Sequence, residues 1–396
     1  MFWSNAVYKV LTYNAISVKG LEKLPRDTYE VASEISTPDA ILLRSHKLTE
    51  EEITPSVKAI GRAGAGTNNI PVQACTDKGV VVFNSPGANA NAVKELVLTG
   101  MLLSSRGIIN GINYVNSLTE MTDDAAMAKL LEAEKKNFKG GELKGKTLGV
   151  IGLGAIGSLV AEMGLQMGMK VVGYDPALSI EGAWRLSSDV QRAENLASLM
   201  SKSDFITLHL PVLDATRHLI NKDSLSNVKK GARLLNFARE EIVDSSAVVE
   251  SLDEGLLDRF ITDFPTPALI NRSDVIAMPH IGASTAEAED NCAIMAASQL
   301  KSFLESGNII NSVNFPATQL DRNTAYRLTI SNNNVPKILG NVLSMLADAN
   351  INVADMINKS RNDIAYNIID LSEKPSADVI AQVESIEGVI TVRLIG

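Results

Sequence analysis

Short apolar runs separated by helical patterns occupy the first third of the chain. Four of these runs predict buried strands, at residues 9–13, 40–44, 57–61 and 80–83. Strands that alternate with helices are typical of a parallel α/β sheet. A long helix is predicted next, at about residues 91–106, and a second, polar helical stretch at about residues 123–137.

The same alternation resumes in the middle of the chain. Six further strands are predicted at residues 147–151, 170–174, 205–209, 232–236, 260–263 and 275–278. This pattern indicates a second doubly wound domain. Ser284-Thr-Ala-Glu287 is a capping-box pattern, which predicts that a helix begins there.

The last segment has a different order of elements. From about residue 324 the pattern is strand, helix, strand, strand, helix, strand, which is the ferredoxin-like arrangement. Pro336 is predicted to be the first residue of the first helix, and residues 306–323 to be a linker. We therefore predict three domains: residues 1–91 with 284–315, residues 92–283, and residues 324–396.

Composition narrows the class of protein. The chain has 396 residues, of which 45% are hydrophobic and 21% charged, an ordinary globular mixture. The sequence shows no apolar run near the roughly 18 residues that a membrane span needs, and Met1–Asn5 lack the basic start of a signal peptide. Cys75 and Cys292 form no disulfide framework or zinc motif, so a cytoplasmic, metal-free protein is expected.

The formal net charge is −9, and like charges do not form blocks. This argues against nucleic acid or an anionic membrane as the main partner. It does not exclude an anionic substrate, because individual arginines determine the charge of a pocket.

A glycine-rich motif predicts a dinucleotide site. Gly152, Gly154 and Gly157 form a GxGxxG between a predicted strand and a predicted helix, and Ala155 and Ile156 lie within it. Such glycines permit a tight turn and a close approach of the backbone to a pyrophosphate at the helix N-terminus. The next strand ends at Asp175, whose carboxylate can accept hydrogen bonds from ribose hydroxyls and repel a 2′-phosphate. NAD is therefore favoured over NADP.

Two strand ends supply candidate catalytic groups. Removal of hydride from an alcohol needs a group that takes the hydroxyl proton and a cation that holds a neighbouring carboxylate. His280 and Arg239 each follow a predicted strand, and the carboxyl ends of parallel strands form the ligand crevice of a doubly wound sheet. His46, His209 and His218 are interpreted as structural or solvated.

These features together resemble the D-isomer-specific 2-hydroxyacid dehydrogenases. The resemblance covers essentially the whole chain and rests on five segments: Gly61-Arg-Ala-Gly-Ala-Gly-Thr-Asn-Asn69, Asn84-Ser-Pro-Gly-Ala-Asn89, the GxGxxG, Asn236-Phe-Ala-Arg239 and Pro279-His-Ile-Gly-Ala-Ser-Thr285. It implies that residues 92–283 bind NAD and that residues 1–91 with 284–315 bind the substrate.

The resemblance also implies roles for single residues. Arg239 would bind the substrate carboxylate, and His280 would be the general base in oxidation and the acid in reduction. Asp263 would lie beside the nicotinamide amide, and Pro211 is also assigned to the cofactor site. The substrate pocket would contain Arg44, Ser45, Arg62, Asn89 and Lys94. Arginines can bind a phosphate through two hydrogen bonds, although Arg44 and Arg62 could also be solvated surface residues.

Three positions depart from the family pattern. Members usually carry a glutamate that hydrogen-bonds the histidine, whereas this chain has Asp263-Phe-Pro-Thr-Pro. We interpret this as a variant mechanism. Lys94 replaces a commoner apolar residue and is either a solvated helix residue or a pocket cation. Glu240 replaces a glycine and either pairs with Arg239 or faces solvent.

The C-terminal segment resembles an ACT domain, a module that often binds amino acids. Asn332, Asn334 and Asn352 match positions that bind serine in regulated relatives. Lys337, however, stands where a glycine is usual, and its side chain could fill the site. The alternative is a dimerisation module with exposed asparagines.

The leading expectation is an NAD-dependent enzyme that oxidises D-3-phosphoglycerate to 3-phosphohydroxypyruvate, the first step of serine synthesis. One alternative is another substrate, such as glycerate, lactate or 2-hydroxyglutarate. Another is a sensor of NAD or amino acids that has lost catalysis, which the missing glutamate suggests. A homodimer is the expected assembly.

Overall fold

A computed structural model describes residues 7–396, which form two compact units. One unit is Ala90–Ser284, and the other joins the chain up to Asn89 with Thr285–Gly396. The expectation about Met1–Asn5 lies outside the described residues. Across residues 7–396, no helix is long and apolar enough to cross a membrane, and no group of three or more metal-ligating side chains forms a candidate metal site.

The first segment forms a five-stranded parallel sheet in the order β2-β1-β3-β4-β5, which is the flavodoxin-like order. Its strands are β1 Tyr8–Thr12, β2 Tyr29–Ala32, β3 Ala40–Leu43, β4 Ala59–Arg62 and β5 Val81–Phe83, with helices α1 Val18–Leu21 and α2 Val72–Asp77. The sequence did not predict β2. It is an edge strand with one fully buried side chain, so its apolar pattern is weak.

The second unit contains a seven-stranded parallel sheet in the order β12-β11-β10-β9-β6-β7-β8. Its strands are β6 Thr147–Ile151, β7 Lys170–Tyr174, β8 Gln191–Arg192, β9 Phe205–Leu208, β10 Ala232–Asn236, β11 Leu257–Thr262 and β12 Val275–Ala277. Its helices are α3 Ala90–Ser105, α4 Ile108–Ser117, α5 Asp124–Glu134, α6 Ala155–Gln166, α7 Ile180–Trp184, α8 Leu196–Lys202, α9 Lys222–Leu225 and α10 Ser245–Asp253. Short 3₁₀ turns lie at Lys135–Phe138, Glu240–Ile242 and Pro267–Leu269.

This sheet has the strand order of a dinucleotide-binding fold. Strand order reverses between β6 and β9, and ligands of such sheets bind outside the carboxyl ends of the strands near that point. The predicted doubly wound fold is thereby confirmed for both segments.

The third segment opens with the long helix α11, Ala286–Ser306. The predicted capping residue was wrong by one position. Thr285, rather than Ser284, caps the helix, and its hydroxyl accepts a hydrogen bond from the Ala288 N–H at 3.1 Å. The Ser284 N–H is already bonded to the Ile281 carbonyl at 2.9 Å, so the preceding turn continues through Ser284.

The chain ends in a four-stranded antiparallel sheet in the order β14-β15-β13-β16, with two helices. Its elements are β13 Tyr326–Asn333, α12 Ile338–Asp348, β14 Val353–Arg361, β15 Ile364–Leu371, α13 Ala377–Glu384 and β16 Val389–Ile395. This is the predicted ferredoxin-like arrangement. Pro336 is not the first helical residue, because Lys337 adopts a left-handed conformation (φ 78°) and α12 begins only after it.

The C-terminal sheet belongs to the same compact unit as the five-stranded sheet. The division into three domains stays a prediction. Tyr366 and Ile368 of β15 share one apolar cluster with Phe303 and Phe315. The Tyr366 hydroxyl also donates to the Gly307 carbonyl at 2.8 Å, at the end of α11. These contacts join the C-terminal sheet to α11 and the linker.

Candidate active site

The glycine motif forms a tight turn between β6 and α6. Gly152 has φ 88°, a conformation that favours glycine, and Gly154 is the residue before the helix. A Cβ atom on Gly157 would lie 1.8 Å from the Gly152 carbonyl oxygen, so no other residue fits there without displacing the turn. Ala155 and Ile156 begin α6, whose first N–H groups are available to an anion.

Asp175 follows β7 and lies against this turn. One of its carboxylate oxygens accepts from the Leu153 N–H at 2.9 Å, and the other accepts from the Ala177 N–H at 3.0 Å. Each oxygen retains a lone pair that can accept a ribose hydroxyl. The glycine turn, the helix N-terminus and this carboxylate fit the pyrophosphate and ribose of a dinucleotide.

His209 lies beneath the glycine turn. The Cβ position of Gly157 is 3.4 Å from the His209 Cβ, and that of Gly152 is 2.5 Å from its carbonyl oxygen. Burial lowers the pKa of His209 to about 3, so the ring is neutral, and its Nε2 lies 2.9 Å from the Thr207 hydroxyl. This histidine packs against the glycine turn. Pro211, assigned to the cofactor site, follows two residues later and is exposed.

The other two non-catalytic histidines have local partners. The ring of His46 stacks on Tyr13, with centroids 4.0 Å apart, and bonds to Glu52 at 2.9 Å. His218 has φ 51°, and its N–H donates to the Glu241 carbonyl at 2.8 Å.

Arg239, Asp263 and His280 follow the adjacent strands β10, β11 and β12. Because these strands are parallel, all three residues lie at one edge of the sheet. The glycine turn follows β6 at the same edge. The second unit therefore gathers the predicted cofactor site, the predicted base and the predicted carboxylate-binding cation on one side.

Asp263 fixes the backbone around His280. It is 2% exposed, and its two oxygens accept from the N–H groups of Ile281 at 2.8 Å and Gly282 at 2.7 Å. Its carbonyl accepts from the His280 N–H at 3.0 Å. His280 has φ 56°, an uncommon conformation for a residue with a side chain, and these three hydrogen bonds hold it there.

An aromatic ring lies beside the histidine where the sequence lacks the family glutamate. The ring of Phe264 is 4.8 Å from that of His280, centroid to centroid, at an interplanar angle of 51°. His280 is exposed. Phe264 can restrict the rotation of the imidazole but cannot accept a proton from it.

Arg239 is exposed and is oriented by its own backbone. Its guanidinium donates to the Ala238 carbonyl at 2.7 Å, and the buried Asn236 amide donates to the Arg239 carbonyl at 2.8 Å. Glu240 faces solvent, and none of the salt bridges found in residues 7–396 joins it to Arg239. Most of the guanidinium donors remain available to an anion.

The other unit holds the predicted anion-binding arginines. Arg44 follows β3, Arg62 ends β4, and the Arg62 Nε donates to the Arg44 carbonyl at 3.1 Å. The Arg44 guanidinium pairs with Glu289 of α11 at 2.6 Å. The Ser45 N–H donates to the Asn14 side chain at 3.0 Å. The sequence did not predict the role of Glu289, because the pair joins segments far apart along the chain.

Two further predicted pocket residues differ in their contacts. The side-chain oxygen of Asn89 is buried and has no hydrogen-bond partner among the described residues, so a ligand donor would satisfy it. The Lys94 ammonium bonds to the Asn91 side chain at 2.6 Å, one turn earlier on α3. Lys94 is only partly exposed, which keeps both of its predicted roles open.

The three C-terminal asparagines are not equivalent. Asn332 is 4% exposed, and its side chain bonds to Asn367 at 2.8 Å and to the Asn333 carbonyl at 2.6 Å. Asn334 and Asn352 are exposed, and Asn334 donates to the Asn362 carbonyl at 3.1 Å.

Comparison with known proteins defines the class. The D-isomer specific 2-hydroxyacid dehydrogenase, NAD binding domain, matches residues 110–282. The chain is 32% identical over 366 residues to a D-3-phosphoglycerate dehydrogenase of Haemophilus influenzae, and the match covers 89% of this chain and 85% of that protein. The chain therefore belongs to the D-isomer-specific 2-hydroxyacid dehydrogenase family, which confirms the resemblance.

Other similar proteins are also phosphoglycerate dehydrogenases. The chain is 36% identical over 340 residues to a D-3-phosphoglycerate dehydrogenase of Methanocaldococcus jannaschii, covering 83% of this chain but only 61% of that longer protein. The crystal structure of NAD⁺-bound 3-phosphoglycerate dehydrogenase of Entamoeba histolytica matches with a TM-score of 0.61 and 29% identity, covering 78% of this chain and 99% of that one.

Proposed function

We propose that this protein oxidises D-3-phosphoglycerate to 3-phosphohydroxypyruvate with NAD, as expected for the first step of serine synthesis. The observation that carries the proposal is the placement of Arg239, Asp263 and His280 after three adjacent parallel strands, at the edge that also carries the glycine turn. The phosphoglycerate dehydrogenases among its relatives support the substrate.

The side chains divide the chemistry of oxidation between them. Arg239 holds the substrate carboxylate through its free N–H groups and stabilises the oxygen that becomes a carbonyl. An imidazole nitrogen of His280 takes the hydroxyl proton, and in the reverse direction it returns that proton. Phe264 and the turn held by Asp263 restrict the orientation of the imidazole.

When bound, NAD⁺ would supply the hydride acceptor, which is the C4 atom of its nicotinamide ring. Gly152, Gly154 and Gly157 would leave room for the pyrophosphate, and Asp175 would accept hydrogen bonds from the ribose hydroxyls and repel a 2′-phosphate. Cys75 and Cys292 are free thiols, which supports a reducing, cytoplasmic setting.

The proposal is tested by NADH oxidation at a wavelength of about 340 nm, the nicotinamide absorbance used to follow such cofactors. We expect turnover with 3-phosphohydroxypyruvate, at a kcat/KM higher than with hydroxypyruvate, pyruvate or 2-oxoglutarate. NADPH should be a poorer cofactor than NADH because of Asp175. Absence of turnover with every acid, in protein that still binds NADH, would contradict the proposal and favour a sensor.

A non-phosphorylated 2-hydroxy acid is the second candidate substrate. It is favoured by one observation: the Arg44 guanidinium is paired with Glu289 and is not fully available to a phosphate. A kcat/KM higher for hydroxypyruvate or pyruvate than for the phosphorylated acid, in the same assay, would select this candidate.

We also propose that the C-terminal segment is an ACT-like regulatory module that responds to L-serine. Asn334 and Asn352 are exposed and can bind a polar amino acid, whereas Asn332 is held inside by Asn367. Repeating the assay with L-serine tests this. Unchanged turnover, together with no L-serine binding by calorimetry, would leave the segment a structural or dimerisation module.

We propose that the protein forms a homodimer and that the exposed face of α4 is its interface. This helix has no buried residue, and Ile109, Ile112 and Val115 on it are 37%, 55% and 43% exposed. Ile112 and Val115 border a surface cavity of about 540 Å³ that Phe138 also lines. Exposed apolar faces of this kind are usually covered by a partner, and a twofold dimer covers the same face on each copy.

We expect Ile112→Asp to convert the dimer to a monomer, as measured by light scattering coupled to gel filtration. In the dimer, the new carboxylate would be buried in the interface without a cationic partner, which is costly. Ile180→Asp is the matched control, because Ile180 is 75% exposed in the same unit but lies on α7. A dimer in both variants would exclude α4 as the interface.

A further inference from the structure

The ion pair between Arg44 and Glu289 is the observation from which we infer a determinant of substrate choice. The guanidinium follows β3, and the carboxylate comes from the first turns of α11. The two side chains are 39% and 42% exposed, so solvent and ligands can reach the pair. The Arg62 Nε donates to the Arg44 carbonyl, which places a second guanidinium against the Arg44 backbone.

The packing of α11 explains why Glu289 points to this arginine. Cys292 and Ala293, one turn later on the same face of the helix, are buried in the core. Glu289 therefore continues the buried face toward its N-terminal end, whereas Glu287 is exposed. The same charges act on the pKa of the Cys292 thiol. Burial raises this pKa, Arg62 and Arg44 lower it, and Glu289 raises it.

A phosphate that binds Arg44 has to compete with this carboxylate. The pair of Arg44 and Glu289 carries no net charge, whereas Arg44 alone would offer one positive charge. A dianionic group must either take the guanidinium from Glu289 or bind with a like charge close by, and both weaken its binding. An acid without a phosphate does not meet this competition.

We propose that Glu289 is a specificity-determining residue that occupies Arg44 in the free enzyme and is displaced by the phosphate of the substrate. The inference rests on the proposed function, since it assigns Arg44 to the phosphate. Glu289 thus lowers the affinity for phosphorylated acids and reduces the difference in affinity between phosphorylated and unphosphorylated acids.

The test compares Glu289→Gln with the wild-type protein in NADH oxidation. Glutamine keeps the size of the side chain but removes its charge. We expect the KM for 3-phosphohydroxypyruvate to fall about three- to tenfold, which is the effect expected from releasing an exposed ion pair and removing a like charge. The kcat and the KM for hydroxypyruvate should stay within about twofold of the wild-type values. An unchanged or higher KM for the phosphorylated acid would overturn the proposal.

Glu287→Gln is the matched control. It removes one negative charge from the same part of α11, but Glu287 is exposed and makes no ion pair among the salt bridges described in residues 7–396. It should leave both KM values unchanged. If Glu287→Gln lowered KM as much as Glu289→Gln, general charge rather than the Arg44 pair would be responsible, and the proposal would fail.

A second measurement separates this inference from the proposed function. Calorimetric binding of inorganic phosphate needs no turnover, and Glu289→Gln should bind it about three- to tenfold more tightly than wild type. If neither protein turned over the phosphorylated acid but the variant gained phosphate affinity, the proposed substrate would fail while the competition stood. If phosphate affinity did not rise, the competition itself would be refuted.

Discussion

Replacing His280 should lower kcat by about 10²–10⁴-fold, the usual contribution of a positioned general acid or base, while NADH binding stays within about twofold. The reason is that the imidazole is the proposed acceptor of the hydroxyl proton but lies after β12, whereas the glycine turn and Asp175 follow β6 and β7. NADH oxidation gives kcat, and a fluorescence titration gives the affinity for NADH.

The choice of substitution matters because His280 has φ 56°. Alanine is strained in this conformation, whereas asparagine adopts it readily. His280→Asn therefore removes the proposed base without disturbing the turn that Asp263 holds. His280→Ala should lose activity to at least the same extent.

His218→Asn is a matched control, since His218 also has a positive φ, of 51°, and lies in the same unit. It should retain wild-type kcat. Wild-type turnover in His280→Asn would remove this histidine from the mechanism, and an equal loss in His218→Asn would indicate a general structural effect.

The sequence predicted the parts of the fold that are determined locally. The bounds of β6, β7 and β10 match the predicted strands because each is a short, largely buried run that ends at a turn. The glycine turn was predictable for the same reason, since its conformation is restricted to the residue type that the sequence shows.

Other elements were missed because their local signal is weak. Helix α4 has no buried residue and contains Gly111, a poor helix former, so its pattern resembles a loop. Helix α12 begins later than predicted because Lys337 adopts a left-handed conformation that favours glycine.

The candidate site was predictable only in part. Arg239 and His280 could be found because strand ends are visible in the sequence. The hydrogen bonds that Asp263 accepts join two loops, and the pairing of Arg44 with Glu289 joins residues 245 positions apart. Neither has a periodic or local signal, so sequence patterns alone could not reveal them.

A buried ion pair lies within the C-terminal sheet, next to the segments that precede it. Arg327 and Asp370 are both completely buried and are joined by two hydrogen bonds, at 2.6 and 2.9 Å. The same guanidinium donates to the carbonyls of Ser306, at the end of α11, and Leu320, in the linker. One side chain thus connects the C-terminal sheet to the segments that precede it.

We expect Arg327→Met to lower the free energy of unfolding by about 3–5 kcal/mol, because Asp370 is left buried without its partner. Circular dichroism during guanidinium chloride denaturation measures this, in the transition of the unit that contains Arg327 if the two units unfold separately. The double variant Arg327→Met/Asp370→Leu should recover most of the loss, since buried pairs can often be replaced by apolar residues of similar volume. If the double variant were as unstable as the single one, the hydrogen bonds to Ser306 and Leu320 would be the source of the stability, rather than the charge pair.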